Sequence, residues 1–221
     1  MLFHSFLIAF TFASAANAAA SKAQSVTIQQ FPIEASESKE RVHKLGEAMS
    51  LFKSSNKGKI DRVFLGQISD SVVEQIFVLN TPVETVEPFL PFTSSPEQLN
   101  STTAVLDNAT SLYDALYAPS TETLVQDVIP GADLDVISEA MKYLEISIRN
   151  ASGGYGSAFG FSQKEEEGKT QVVVVNGWES FDVASAWLSG LDNVTATYFQ
   201  TLAANIVGSA EPTFKHITEI K

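Results

Sequence analysis

Histidines are the residues of this sequence that titrate near neutral pH, and they set the first limits on its chemistry. His4 lies in an apolar amino-terminal run, and His43 lies beside the apolar stripe of a predicted helix. His216 shares the more apolar face of a predicted strand with Phe214 and Ile220, so it is the better candidate for a general base. A structural role is the alternative for His43 and His216. No HxH or HxxxH spacing occurs, and we predict no metal site.

A group of aromatic residues in the second part of the sequence could line an apolar binding pocket. Its members are Trp178, Tyr155, Phe159, Phe161 and Trp187. Aromatic residues also dominate protein cores, so packing without a ligand is the alternative.

The composition excludes several classes of chemistry. Of 221 residues, 14 are Lys or Arg and 26 are Asp or Glu, so the net charge is −12. We expect no nucleic-acid partner, because phosphate binding needs clustered positive charge. There is no cysteine, which excludes disulfides, thiolate nucleophiles and cysteine-ligated zinc. Residues 154–160 have the spacing GxGxxxG without the following helix of a dinucleotide site. We therefore expect no metal, nucleotide or other cofactor.

Residues 1–18 have the pattern of a signal peptide. Residues 2–16 contain no Asp, Glu, Lys or Arg, and their apolar run is shorter than the roughly 20 residues that cross a bilayer. Ala16-Asn17-Ala18 supplies the small residues of a signal-peptidase site, so we predict cleavage after Ala18. A buried amino-terminal helix is the alternative. No later stretch reaches membrane-spanning length, and we expect no membrane span.

Four Asn-x-Ser/Thr sequons fit an extracellular address. Their acceptors are Asn100, Asn108, Asn150 and Asn193. One sequon often arises by chance, but four behind a leader predict a secreted glycoprotein.

Two stretches of the sequence match at a spacing of about 96 residues. Residues 75–80 align with 171–176, and both are apolar, β-branched runs that end on Asn. Weaker matches in the same order align 63–66 with 158–161 and 28–32 with 126–130. The sequence therefore predicts an internal repeat, with a first half at residues 24–120 and a second half at 121–221.

Each half is predicted to contain a strand, an amphipathic helix and a two-strand hairpin. The first half has strand 26–31, a helix with the stripe Val42, Leu45, Met49 and Phe52, and strands 60–68 and 72–79. The second half has strand 123–129, a helix with the stripe Leu134, Ile137, Met141, Leu144 and Ile148, and strands 155–162 and 170–176. A broken helical region follows in each half, and in the first half its face includes Val105 and Leu112. Strand 213–220 closes the second half, whereas the first half has no clear final strand.

The order βαββαβ, given twice, is the ferredoxin-like plan. Such a sheet buries one face under its own helices and needs a partner for the other. We therefore predict an α+β fold in which tandem ferredoxin-like repeats form an intramolecular dimeric α/β-barrel. Because the partner sheet is in the same chain, we expect a monomer.

The segment Asn176-Gly177-Trp178-Glu179-Ser180 resembles a strand-to-helix corner of the dimeric α/β-barrel superfamily. The nearest branches are the antibiotic-biosynthesis-monooxygenase-like (ABM-like) domains and the stress-responsive A/B-barrel proteins, which include secreted fungal members. The resemblance covers residues 123–220 directly and the first half only through the repeat. The superfamily contains cofactor-free oxygenases, haem-degrading enzymes, polyketide cyclases and lactone isomerases.

The resemblance implies that Trp178 lies in a pocket, as the matching tryptophan does in oxygenase and haem-degrading members. Those members also carry a histidine about one helix later and an asparagine on the first strand. In this sequence Ser189 stands near the histidine position, and the predicted opening strands contain no asparagine. These departures argue against haem degradation.

Together these patterns predict a pocket that binds or transforms a small hydrophobic molecule. As an enzyme, the protein would be a cofactor-independent monooxygenase, cyclase or isomerase with His216 as its base. The alternative is a non-catalytic secreted module whose core is filled by side chains and which acts through its surface. The sequence leaves both open and does not identify the substrate.

Overall fold

The computed structural model describes residues 24–32, 38–80, 100–164, 169–208 and 213–221. Within these residues the chain forms nine strands and five helices. They are, in chain order, β1 (Gln24–Pro32), α1 (Ser38–Ser55), β2 (Ile60–Ser69), β3 (Val72–Leu79), β4 (Asn100–Leu106), α2 (Ala109–Leu116), β5 (Ser120–Asp127), α3 (Leu134–Asn150), β6 (Gly154–Lys164), β7 (Lys169–Trp178), α4 (Phe181–Ser189), α5 (Asn193–Asn205), β8 (Thr213–Lys215) and β9 (Ile217–Glu219). The predicted signal peptide, residues 1–18, lies outside the described residues.

The first half has a four-strand sheet in the order β4-β1-β3-β2. The prediction that Val105 belongs to a helix is wrong, as is the inference that this half lacks a final strand. Alternate residues from 102 to 106 are buried, which is the pattern of a strand. Helix α2 begins only after Asn108, whose side chain accepts a hydrogen bond from the N–H of Ser111 at 3.2 Å.

Two seams join the halves into a barrel. At one seam β4 pairs antiparallel with β6, and Leu106 lies opposite Gly160. At the other, β2 pairs antiparallel with β9, and Gly66 lies opposite Ile217. β8 and β9 are consecutive parts of one segment on either side of His216, and β8 pairs with β5. Segment 213–219 therefore belongs to both halves and closes the nine-stranded sheet.

Alternate residues of each strand face the barrel interior and the helices outside it. The inner core consists of Val26, Ile28, Phe64, Ile76, Val78, Ala104, Leu106, Leu112, Ala115, Leu116, Ala158, Val173, Val175 and Ile217. Helix α1 covers the outer face of the first half with Leu45 and Met49, and Val42 and Phe52 pack at the edge of this cluster. Helices α3 and α5 cover the outer face of the second half with Ile137, Met141, Leu144 and Leu202.

The predicted stripe of α3 forms as its spacing requires. Asp133 caps the helix by accepting a hydrogen bond from the N–H of Asp135 at 2.9 Å. Buried residues then recur every three or four positions as far as Ile148, so one face packs on the sheet. No helix within the described ranges is long and apolar enough to span a membrane.

Helix α2 fills one end of the barrel interior. Its buried face belongs to the inner core, and its backbone lies against two inward-facing glycines. A Cβ atom at Gly156 would stand 2.3 Å from the carbonyl oxygen of Ser111, and one at Gly177 would stand 2.5 Å from Cα of Ala115. The approach of α2 to β6 and β7 therefore requires glycine at both positions.

A buried ion pair crosses the barrel interior between the halves. Nζ of Lys215 on β8 lies 2.7 Å from the carboxylate of Glu74 on β3, and both side chains are fully buried. Thr123 on β5 donates to Glu74 at 3.0 Å and accepts from Lys215 at 2.6 Å. Gln30 on β1 adds a bond to Glu74 at 2.7 Å. The network satisfies both charges and ties the closing segment to the first half.

The internal repeat holds for the elements, but the predicted residue alignment is wrong. A spacing of 96 equates Phe77 with Val173, yet Phe77 lies in the outer core and Val173 in the inner core. Each half has a β-bulge in its hairpin, which lies opposite Leu79 in the first half and opposite Trp178 in the second. The next ladders place Ser25 opposite Leu79 and Ser120 opposite Trp178. Trp178 therefore corresponds to Leu79, and the spacing differs from the predicted one by an odd number of residues. Such a slip exchanges the two faces of every strand.

Candidate functional site

A row of three polar side chains lies across the outer face of the second half's sheet. The ladders place Glu122 on β5 opposite Asn176 on β7, and Asn176 opposite Ser157 on β6. Most of the surrounding residues on this face are apolar and lie beneath helices. A polar group that is removed from water without a hydrogen-bond partner lowers stability, so each member of this row needs such a partner.

Glu122 accepts the hydrogen bonds of this row through one carboxylate oxygen. Its Oε2 accepts from Nε1 of Trp178 at 2.8 Å and from Nδ2 of Asn176 at 3.0 Å. Ser157 donates its hydroxyl to Oδ1 of Asn176 at 2.7 Å, which fixes the amide. No described residue donates to the second oxygen, Oε1. The carboxylate is therefore oriented by its neighbours and has one oxygen available for a further donor.

The surroundings of Glu122 make it more basic than an ordinary carboxylate. Burial raises its pKa, because a charged carboxylate is poorly solvated between the sheet and the helices. The hydrogen bonds from Asn176 and Trp178 and the charge of Lys215 act in the opposite direction, but burial has the larger effect. A raised pKa makes a carboxylate a stronger base than an ordinary glutamate.

Aromatic side chains run from the solvent to this carboxylate. Trp178 is buried, and its ring centre lies 5.4 Å from that of Trp187 on α4. On β8, Phe214 lies opposite Glu122, and its ring contacts that of Phe181 edge to face with 5.0 Å between the ring centres. Phe181 is 56% exposed. The cluster is therefore buried at Trp178 and exposed to solvent at Phe181.

The corner at residues 176–180 holds Trp178 in position. The N–H of Glu179 donates to the carbonyl oxygen of Gly153 at 2.7 Å. Ser180 caps α4 by accepting a hydrogen bond from the N–H of Val183 at 3.3 Å. The motif that carries the family resemblance is thus a strand end, a turn and a helix cap, and it places Trp178 beneath α4.

The equivalent positions of the first half carry no such row. The ladders equate Glu122, Asn176 and Trp178 with Thr27, Phe77 and Leu79. Phe77 and Leu79 are buried in the core beneath α1, where Phe52 contacts Phe77 edge to face at 5.8 Å. Thr27 bonds to Thr103 at 2.8 Å, and the outer face of the first half also carries a polar row of Ser101, Gln29 and Gln75. Polar side chains therefore lie on the outer face of both halves, and the specific feature of the second half is a carboxylate that accepts from a tryptophan and an asparagine.

His216, the predicted base, does not join this cluster. It lies between β8 and β9, its side chain is exposed, and its Nδ1 is 3.0 Å from the carbonyl oxygen of Pro119. His43 is also exposed and lies 3.5 Å from Glu47 on the same helix. Among the described residues, no three His, Asp or Glu side chains are grouped as a metal ion would require.

The structure divides the five predicted pocket residues among different surroundings. Trp178 and Trp187 lie together beside the polar row. Phe159 and Phe161 pack with Trp187 in the core beneath α3 and α5, and Phe159 is only 1% exposed. Tyr155 is exposed near the start of β6. The two tryptophans can therefore contribute to a site at Glu122, while the two phenylalanines pack the core.

Sequence reasoning missed Glu122 and the role of Asn176. The strand predicted from the sequence begins at Thr123, whereas β5 begins at Ser120, so Glu122 falls in a predicted loop. In the ferredoxin-like plan the first and third strands are neighbours, and an acidic residue early in β5 must therefore lie near the end of β7. That pairing with the Trp178 strand was the available signal.

The predicted glycosylation acceptors also differ in their surroundings. Asn150 and Asn193 are exposed at helix ends. Asn108 is half-buried and donates to the buried carboxylate of Glu145 at 2.6 Å. The side chain of Asn100 lies outside the described part of the structure.

The sequence matches no protein-family profile and no curated protein at a significant level. The structure, in contrast, is similar to solved structures over nearly its whole length. An anthrone oxidase-like protein is 13% identical, with a TM-score of 0.62 over 91% of this chain and 95% of that chain. A candidate monooxygenase from Lactobacillus acidophilus is 9% identical, with a TM-score of 0.53 over 90% and 95% of the two chains. A ferredoxin-fold protein from Listeria monocytogenes, related to antibiotic biosynthesis monooxygenases, is 8% identical, with a TM-score of 0.50 over 88% and 95%.

At such low identity these likenesses establish the fold. They confirm the predicted α+β fold of tandem ferredoxin-like repeats, which is the fold that the resemblance at residues 176–180 implies. Each match extends over both halves, so the barrel is completed within one polypeptide.

Proposed function

We propose that the second half of the barrel binds a small hydrophobic molecule containing aromatic rings, and that Glu122 removes a proton from it. The observation that carries this proposal is the carboxylate itself, which is partly buried beside Trp178 and bonded through only one oxygen, and whose pKa is raised by burial. Removing a proton in this way needs only side chains of the protein.

The neighbours of Glu122 fit this role. Trp178 and Asn176 donate to Oε2 and so fix the orientation of the carboxylate, which leaves Oε1 to contact a bound molecule. The rings of Phe181 and Phe214 offer an apolar approach that favours a flat, apolar ligand over a polar one. The pKa of Glu122, raised by burial, brings its proton affinity closer to the working range of a general base.

An aromatic ketone with an acidic C–H group is the substrate class that we propose. The similarity to an anthrone oxidase-like protein supports this class, because an anthrone carries such a C–H between two aromatic rings. In the proposed step the proton moves from carbon to Oε1 of Glu122. The electron pair remains on the substrate as an enolate whose charge is spread over the rings.

A non-catalytic secreted module is the second candidate function. Helix α2, the inner core and the pair between Glu74 and Lys215 fill much of the barrel interior. A protein of this kind would act through its surface.

Ligand binding tests the first part of the proposal. The chain has two tryptophans, and both lie beside the proposed site, so their fluorescence reports on it. Titration with anthrone is expected to quench this fluorescence saturably. Failure to quench would favour the surface-acting module.

Proton exchange tests the second part without any oxidation. In deuterated buffer under argon, the protein is expected to accelerate exchange of the acidic C–H of anthrone, as followed by proton NMR. Glu122→Gln should retain quenching but lower the catalysed exchange by about 100-fold or more. Glu179→Gln, an exposed acid on the same corner, and His216→Ala serve as controls that should exchange normally. Equal exchange by Glu122→Gln and the unaltered protein would remove Glu122 as the base.

We also propose that the protein is secreted, with residues 1–18 removed and N-glycans attached. The exposure of Asn150 and Asn193 supports modification there, whereas the bond from Asn108 to buried Glu145 leaves no room for a sugar. Glycopeptide mass spectrometry of protein secreted from yeast should find a mature end at Ala19 and glycans on Asn150 and Asn193. Retention in the cell with an intact leader would contradict this address.

A further inference from the structure

Two surface grooves flank the contact between α3 and α5. The larger has a volume of about 550 Å³ and is lined by Val136, Glu139, Asn193, Val194, Thr197, Tyr198 and Thr201. The smaller has a volume of about 400 Å³, and its lining includes Tyr143, Asn150 and Trp187. Both volumes fall in the range of about 300–1,000 Å³ that small ligands occupy.

A stacked pair of tyrosines stands between the grooves. The ring centres of Tyr143 on α3 and Tyr198 on α5 lie 4.2 Å apart with nearly parallel planes. Tyr143 lines the smaller groove and Tyr198 lines the larger one. Each groove therefore has an aromatic wall, and in the smaller groove Trp187 adds a second.

Each groove also contains the acceptor of a sequon. Asn193 begins α5 and lines the larger groove, and Asn150 ends α3 and lines the smaller one. A group attached to either side chain is thus held at the groove from the start, with almost no cost in bringing it there.

We propose that the innermost N-acetylglucosamine of an N-glycan on Asn193 occupies the larger groove, and that the one on Asn150 occupies the smaller groove. This inference rests on the proposed secretion and glycosylation. It is independent of any chemistry at Glu122.

The larger groove offers what a sugar ring needs. The side chains of Val136 and Val194 are 42% and 54% exposed, and a sugar would cover this apolar surface with the C–H face of its ring. Thr197 and Thr201 donate their hydroxyls to carbonyl oxygens one turn earlier on α5, so their oxygens can accept from sugar hydroxyls. Glu139 adds a charged acceptor at the rim.

The burial of Thr195 implies that the glycan is attached to Asn193 before α5 packs on α3. Thr195, the third residue of the Asn193 sequon, is 2% exposed and donates its hydroxyl to Asp192 at 3.0 Å. In the folded chain this hydroxyl is therefore inaccessible to the enzyme that attaches the glycan. The sugar would already be present when α5 packs on α3, and the groove would form around it.

Stepwise trimming of the glycan tests the inference. A yeast-secreted variant that retains only the Asn193 glycan is made with Asn100→Gln, Thr110→Ala and Ser152→Ala, which spare the cap formed by Asn108. Endoglycosidase H then leaves one sugar on Asn193, and the same mature chain produced in bacteria carries none and keeps residue 193 as asparagine. The one-sugar form should melt like the untrimmed protein, and the sugar-free form should melt roughly 2–4 °C lower.

A displaced glycan provides the matched control. Ser69→Asn, combined with Asn193→Gln, moves the sequon to the exposed turn between β2 and β3, where Asp70 and Ser71 complete it. The one-sugar and sugar-free forms of this control should melt at the same temperature.

The outcomes separate the two proposals. A glycan on Asn193 whose last sugar contributes no more than the control sugar overturns the groove assignment and leaves the secretion proposal standing. Absence of a glycan from Asn193 in the mass spectrum overturns the groove assignment and the proposed modification of Asn193, whereas only retention in the cell with an intact leader overturns secretion.

Discussion

At the position equivalent to Glu122 the first half carries the uncharged side chain of Thr27, and Phe77 and Leu79 replace the two donors Asn176 and Trp178. The carboxylate of Glu122 is tolerated because Trp178 and Asn176 donate to it, yet these bonds do not fully offset the loss of water. A group that costs stability and is absent from the equivalent position is best explained by a function.

The stability of the protein should report the burial of Glu122. Because burial raises its pKa above the ordinary value of 4.5, the folded chain holds this proton to a higher pH than the unfolded chain does. The stability contributed by the proton is complete below pH 4.5 and is lost as the pH rises through the folded pKa. Glu122→Gln cannot lose it, so the free energy of unfolding of the variant should rise relative to the unaltered protein as the pH increases.

Urea unfolding at about pH 4 and about pH 7.5 measures this difference. The exposed Glu179→Gln variant is the control and should show no such change between the two pH values. A constant difference for Glu122→Gln would mean that Glu122 is as well solvated in the folded chain as in the unfolded one.

Lys215 and Glu74 should depend on each other. Lys215→Met leaves the fully buried carboxylate of Glu74 without its cation, and we expect the free energy of unfolding to fall by about 3–5 kcal/mol. Adding Glu74→Leu should recover most of the loss, because an apolar pair replaces an ion pair. Urea unfolding of the double-mutant cycle measures the coupling, with exposed Lys142→Met as the neutral control. A double variant no more stable than Lys215→Met would contradict direct pairing.

At the scale of elements, α2 depends on the glycines beneath it. Gly156→Ala would place a Cβ 2.3 Å from the carbonyl oxygen of Ser111, so α2 must shift outward. We expect a loss of about 1–3 kcal/mol or more, measured by thermal unfolding. Gly58→Ala is the matched control, because a Cβ there meets no atom within 4 Å. Equal melting of the two variants would show that α2 is not seated as closely as described.

The sequence predicts most of the elements because their patterns are local. The stripe that includes Leu45 and Met49 predicts α1, and the stripe from Ile137 to Ile148 predicts α3. Strand β4 is missed because Val105 happens to continue the helical spacing of α2. The run at 101–106 shows its alternation only when a partner strand is known.

The site is only partly predictable for the same reason. Trp178 stands out in the sequence because it is a rare residue at a strand-to-helix corner. Glu122 becomes recognisable as a site residue only through the pairing of β5 with β7, about 50 residues later in the sequence. The strand predicted from the sequence also begins one residue after it. The alignment of the repeat fails because apolar strands match almost equally well when they are shifted by one residue, although the shift exchanges their faces.

At the scale of the whole molecule, segment 213–219 pairs with two edge strands, β5 through β8 and β2 through β9. A chain ending at Gly208 would leave β5 and β2 unpaired at these positions. Exposed strand edges bind other edges, so we expect this truncated chain to associate, while the full chain runs as a monomer in size-exclusion chromatography with light scattering. His216→Ala, which alters only the exposed residue between β8 and β9, should remain monomeric. A monomeric truncated chain would show that closure is not needed to protect these edges.

Joining both halves in one polypeptide changes how substitutions act on the protein. In a barrel made from two identical subunits, any substitution is present twice, so a change that suits one site also alters its copy. Here the place of Trp178 could become Leu79 in the other half without removing the tryptophan. One half can therefore carry a carboxylate with tryptophan and asparagine donors while the other carries Thr27, Phe77 and Leu79 at the same positions, a difference that two identical chains cannot have.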